Sequence, residues 1–245
     1  ILLDALTNPE NPDYEPNNDR YHFYLAQSYF DAGDFQNAMI WYDKRASMGN
    51  WQEEVYYSIF RSAMCSGLLN EPFEKTTLKF MECWNYRPNR AEPLHQLSRV
   101  FRLNDKPRLA YLYASMGSKI PFPAQDILFI AGDVYTWQML DELSATAFYV
   151  GELDEGLRST NALLLLLDKV PESEHDRIRN NKVMYEQAIK DREKFMKDHT
   201  KQREELLSKY DLKNNEEEKK KSENKQKSFA KARKERSKRK RKSKV

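Results

Sequence analysis

Residues 19–50 read DRYHFYLAQSYFDAGDFQNAMIWYDKRASMGN, and the spacing inside this stretch constrains the fold more than any other feature of the chain. Leu25, Ala26 and Tyr29 are followed by Gly33, Phe35, Ala38 and Tyr42. Leu25 and Tyr29, four apart, share one face of a first helix. Asp31–Ala32–Gly33–Asp34 supplies a turn whose glycine takes the left-handed backbone that ends helices. Ala38 then lets a second helix approach the first closely. Such a helix–turn–helix unit buries its apolar face by stacking on further copies of itself.

Weaker copies follow. Tyr56, Ile59, Phe60 and Ala63 occupy a first helix, and Phe73, Thr76 and Phe80 a second. Leu94, Leu97, Ser98 and Phe101 open a third unit that continues through Ala110 and Ala114. Leu140, Leu143, Ser144 and Ala147 open a fourth, followed by Gly151, Leu153, Gly156 and Leu163. The interval from Leu97 to Leu143 is too long for one repeat, and Pro121, Phe122 and Pro123 mark the inserted residues. These spacings match the tetratricopeptide pattern. The expected fold is therefore all-α: a tetratricopeptide-like helical-repeat solenoid of about four units plus a capping helix.

The expected boundaries follow from composition. Residues 1–18 hold a short apolar helix, Ile1–Leu6, and a proline-rich linker; 19–170 hold the repeats. Residues 171–213 form a capping helix that runs on toward Tyr210. Residues 214–245 contain 15 Lys/Arg against 5 Asp/Glu and one aromatic, Phe229. Such a segment buries too little surface to offset its ordering entropy, so disorder is expected there. The formal charge of +3 thus hides an acidic body joined to a strongly basic tail. The tail would contact polyanions by counterion release, or serve as a nuclear address, or simply solubilise.

The string YHFYLAQSYFDAGDFQNAMIWYDKRASMGNWQEEVYYSIFR at 21–61 resembles the tetratricopeptide-like region that follows the catalytic domain in family 2 glycosyltransferases. NYRPNRAEPLHQLSRVFR at 85–102, LAYLYASMGSKIPFP at 109–123 and the stretch around Tyr135, Trp137 and Leu140–Leu143 are similar to it as well. The resemblance covers 19–185 and excludes the basic tail. In that family, sugar transfer belongs to an upstream α/β domain with an Asp-x-Asp motif for metal and nucleotide diphosphate. No such motif or strand–helix alternation stands in this chain. The resemblance implies an accessory module beside a transferase domain upstream, or a relative without the enzyme. The chain opens on Ile1 rather than Met, which fits a piece of a longer protein.

Catalytic chemistry has no support in the residues. His22, His95, His175 and His199 show no metal-ligand spacing with one another or with Cys65 and Cys83. Phosphate-loop and dinucleotide-binding glycine patterns are missing. The two cysteines read as buried structural thiols in a reducing compartment. Glu53–Glu54 and Asp141–Glu142 read as solvated faces or helix-dipole partners. No cofactor is expected, and the longest apolar run, Ala162–Leu167, is far too short to span a bilayer. A cytoplasmic location is expected, with the nucleus as the alternative if the tail acts as an address.

What remains is binding. Stacked first helices line a concave groove, and the positions flanking each packing leucine point into it. Those slots hold Phe23 and Gln27, then Tyr57 and Arg61, then His95, Arg99 and Arg102, with Tyr149 in the fourth unit. A protein or peptide is the expected occupant. On this reading Arg61 and Arg99 share one slot in successive units and lie side by side, fit to clamp a carboxylate or phosphate. The alternative is that each pairs internally with an acid such as Glu54 or Glu92. Trp41, Trp51 and Trp137 fall outside the repeat pattern and are candidates for exposure.

Overall fold

A computed structural model describes the backbone of residues 1–242, with side chains described through Tyr210 and at a few positions beyond. Ten α-helices follow in order: α1 (Leu2–Thr7), α2 (Asp19–Asp31), α3 (Phe35–Ser47), α4 (Gln52–Leu68), α5 (Phe73–Tyr86), α6 (Glu92–Leu103), α7 (Pro107–Gly117), α8 (Met139–Val150), α9 (Leu153–Leu164) and α10 (Glu172–Lys242). A π-helical turn, Val134–Gln138, leads into α8. Helices α2 to α9 form four antiparallel pairs, each packed on the next, so the first unit, Ile1–Ala188, is a helical-repeat solenoid.

The register of the repeats is set by their turns. Gly33, Asn70, Asp105 and Gly151 all have positive φ, at 78°, 53°, 54° and 83°. After each, the next backbone N–H donates to the carbonyl five residues back: Asp34 to Tyr29, Glu71 to Ser66, Lys106 to Phe101 and Glu152 to Ala147. This left-handed cap closes the last carbonyls of the first helix. Seven residues before it stand Ala26, Ala63, Ser98 and Ser144, all fully buried where the paired helices meet. On the second helices, Ala38, Thr76, Ala110 and Gly156 fill the facing small-residue position. At Gly156 the space is taken by Tyr185 of α10, whose ring a β-carbon would overlap.

Three apolar clusters follow. Leu6, Phe23, Leu25, Ala38, Trp41 and Tyr42 join α1 to the first pair. Leu94, Leu97, Phe101, Ala114, Met139 and Leu143 run through the centre. Leu163, Val170 and Ile178 seat the start of α10. That helix is also held by the Tyr185 hydroxyl, which donates to the Ser144 carbonyl at 2.5 Å. Trp41 is thus a core residue against His22, their rings 5.3 Å apart, rather than an exposed one. Trp51 is exposed beneath Arg20.

Helix α10 runs across the expected boundary at 214, its backbone helical to Lys242. The last proline is Pro171 and the last glycine Gly156, so nothing after them breaks a helix rich in Lys, Glu and Arg. Residues 243–245 of the expected disordered tail lie outside the described residues. Within the second unit, Ile189–Val245, Phe195 and His199 stack on one face. Among the described residues no helix is long and apolar enough to cross a membrane.

Of the two readings of the paired acids, helix-dipole partner fits Glu54 and Glu142, which stand in the first turns of α4 and α8, whereas solvated face does not, since both are buried. They and the buried Glu92 each meet an arginine: Arg45 at 2.6 Å for Glu54, Arg90 at 2.6 Å for Glu92 and Arg102 at 2.7 Å for Glu142. Glu92 also accepts from the Tyr135 hydroxyl at 2.7 Å, the Tyr56 hydroxyl at 3.2 Å and the Ala131 N–H at 3.3 Å. Burial pushes its pKa up, but Arg90 and Tyr135 outweigh burial and hold it below the ordinary carboxylate range. Its contribution is therefore complete above the unfolded value of about 4.3 and lost as pH falls through the lower folded value. Glu92→Gln should cost about 3 kcal/mol at pH 7. In denaturant titrations the gap from wild type should shrink steadily below pH 4; a gap independent of pH would contradict the assignment.

Candidate functional site

The first helices α2, α4, α6 and α8 adjoin one another along one face, and a single segment divides that face in two. Residues 118–133, the insertion marked by Pro121–Pro123, leave α7 and reach back to the first two repeats. Glu53 on α4 accepts the N–H groups of Ile127 and Leu128 on one oxygen, at 2.8 and 2.7 Å. Arg87 and Arg90 hold the Asp126 carboxylate at 2.6 and 3.1 Å. The Arg90 guanidinium also donates to the Phe129 carbonyl at 3.1 Å. Phe129, at φ 44°, stacks on Tyr57 at 4.5 Å and lies 6.3 Å from Phe23. Phe23, expected to face an open groove, is therefore only 2% exposed. Gln27 is half-buried beside it.

Beyond the segment the face is open. A cavity of about 750 Å³ lies between α6, α8 and the start of α10. His95, Arg99, Arg102 and Tyr149, expected to face a groove, all line it, together with Asp141 and Ala145. Arg102 is tied to Glu142, and Arg177 of α10 to Asp141 at 2.8 Å and Glu174 at 2.8 Å. Arg99 is exposed and has no ion pair among the described residues. Burial pushes the His95 pKa down to about 4, so at neutral pH the ring enters the cavity wall uncharged. Burial also raises the Asp141 carboxyl, against the pull of Arg177. Trp137 lines the same wall with its indole Nε1 buried and without a hydrogen-bond partner. Tyr149 stands two-thirds exposed at the rim. The cavity thus offers aromatic faces, a neutral imidazole and, in Arg99, a guanidinium without an ion pair among the described residues.

Arg61 and Arg99 do not share a slot. Measured from the left-handed turns, Arg99 lies six residues before Asp105, and the matching residue in the second repeat is Met64. Arg61 lies nine before Asn70, because Ser62 rather than Ile59 holds the leucine position there. Arg61 accordingly lines a different, smaller cavity, with Tyr57 and residues 129–131. Nor do the two arginines pair with Glu54 or Glu92, which are taken by Arg45 and Arg90. Both cysteines are buried, with Cys65 pushed up to about 11 by burial and Cys83 also raised, which disfavours the reactive thiolate. Among the described residues no cluster of His, Cys, Asp and Glu is arranged to hold a metal ion.

No family model matches the sequence, and no curated protein matches it. Among solved structures the chain is similar to YrrB, a TPR protein with an unusual peptide-binding site, at a TM-score of 0.56 and 12% identity. That match covers 78% of this chain and 85% of YrrB. A Podosopora anserina kinesin light chain candidate with nearly identical TPR-like repeats scores 0.48 at 15% identity, over 74% of this chain and 90% of that one. The likeness to YrrB is one of fold. Together with the repeated turns and small-residue positions, it makes this chain a tetratricopeptide-like helical-repeat solenoid.

Proposed function

We propose that this chain is a non-catalytic scaffold that binds a protein or peptide segment in the cavity between α6, α8 and α10. The observation that carries the reading is the convergence of His95, Arg99, Arg102, Asp141, Ala145 and Tyr149 on one open cavity. Its volume, about 750 Å³, accommodates several side chains of an extended segment. YrrB, which has the same fold, is described as having a peptide-binding site, which supports the same class of ligand here. The exposed Tyr149 and unpaired Arg99 are of the residue types that dominate binding energy at interfaces.

The finer reading is that the scaffold serves a family 2 glycosyltransferase, recruiting acceptor or organising subunits while another domain transfers sugar. It rests on the sequence resemblance over 19–185. The isolated chain should then release no nucleoside diphosphate from nucleotide sugars, and measurable transfer would sink the scaffold reading. The alternative is a stand-alone adaptor that the basic tail takes to the nucleus or to nucleic acid, favoured by the 15 Lys/Arg against 5 Asp/Glu in 214–245.

The cavity itself is tested by selecting peptides from a displayed library on the full chain and measuring their affinity for variants. Arg99→Glu and Tyr149→Ala should each weaken the selected peptides about tenfold or more, while Leu109→Ser on α7 leaves them unchanged. Equal affinity for all the variants would place the binding surface elsewhere.

A further inference from the structure

Among the described residues six arginines are buried or half-buried: Arg45, Arg61, Arg87, Arg90, Arg102 and Arg177. Five of them have a carboxylate within 2.8 Å, supplied by Glu54, Asp126, Glu92, Glu142 and Asp141 respectively. Arg61 has none. Its guanidinium carbon lies 3.3 Å from the centre of the Phe30 ring and 5.6 Å from that of Tyr57, so aromatic faces surround the plane of the group. Its Nε is buried without a hydrogen-bond partner. The buried Tyr42 hydroxyl is near enough that contact with Arg61 opposes the upward push of burial on its pKa, but it is a neutral group and does not balance the guanidinium's charge. The other five have a carboxylate and Arg61 has only ring faces, so its buried Nε stands unpaired away from water at a cost in free energy.

The same arginine lines the smaller cavity, about 280 Å³, together with Tyr56, Tyr57 and Phe60 of α4 and with Phe129, Ile130 and Ala131 of the inserted segment. Of the charged residues in its wall, Arg90 and Glu92 neutralise each other. The cavity therefore carries one net positive charge in an otherwise aromatic and aliphatic lining. With Phe30 against its face, the guanidinium has its edge left for a ligand, and an edge is what a carboxylate binds in a two-point contact.

We infer that this cavity is a binding site for a small organic carboxylate with an apolar, side-chain-sized body, its anionic end on Arg61 and its body between Tyr57, Phe60 and the 129–131 wall. Two sources share this chemistry: a free aromatic or branched acid, and the last residue of a peptide. The site is separate from the open cavity between α6, α8 and α10, and shares no lining residue with it.

The test uses the full chain and calorimetric titration with phenylacetate, with the neutral phenylacetamide, and with the tripeptide Ala-Ala-Phe as free acid and as amide. An acid of either kind should bind at one site per chain, at least tenfold more tightly than its neutral partner. Arg61→Gln should abolish that preference without lowering the thermal midpoint, since it removes an uncompensated charge. Binding of phenylacetate alone assigns the site to free acids, and binding of the tripeptide acid assigns it to chain ends; each upholds the inference. No binding by either acid, equal binding of acid and amide, or full binding by a folded Arg61→Gln chain would overturn it. A large drop in thermal midpoint for Arg61→Gln would also count against it, marking Arg61 as a packing residue on Phe30. Because Arg99 and Tyr149 are left untouched, this result is independent of the peptide cavity.

Discussion

Glu92 is the point at which the repeats are tied together. It stands at the first turn of α6, where an acid suits the helix dipole, yet it is buried, so its charge has to be matched from several directions. Arg90 from the preceding turn, Tyr56 from α4, Tyr135 from the π-helical turn and the Ala131 amide all converge on it. Because Arg90 also grips Asp126 and the Phe129 carbonyl, the acid that anchors the third repeat also fixes the inserted segment against the second. The division of the first-helix face into a covered half and an open half follows from this one cluster.

That division gives the two cavities different characters. Over the first two repeats, Phe129 stacks on Tyr57, and what remains is a small cavity with Arg61 in its wall. Over the third and fourth repeats the start of α10 provides a third wall through Arg177 and Met184. The same helical scaffold thus presents two cavities of different size and lining.

The sequence made part of this legible, and the reasons for the rest are physical. Gly33 and Gly151 marked their turns because a glycine advertises left-handed backbone, whereas Asn70 and Asp105 adopt the same conformation without that signal. Ser62 in place of a leucine shifted the reading of the second repeat by three residues, and with it the slot assigned to Arg61. The slots in the third and fourth repeats, aligned on Leu97 and Leu143, agree with the register of the turns. Pro121–Pro123 revealed an insertion but not its destination: Glu53 meets Ile127 and Leu128 across more than seventy residues, a contact with no local trace. Buried acids such as Glu54 and Glu142 look like surface acids in sequence, because only the fold supplies their arginines.

The central claim is that residues 126–131 are a built part of the first-helix face rather than a loop passing over it. Hydrogen exchange of the intact chain, read at the amides of Ile127, Leu128 and Ala131, tests it most directly. These amides donate to Glu53 and Glu92, and the account predicts protection comparable to that of the α4 and α6 amides. Exchange at the rate of an unstructured peptide would contradict it, and would return the covered half of the face to the solvent.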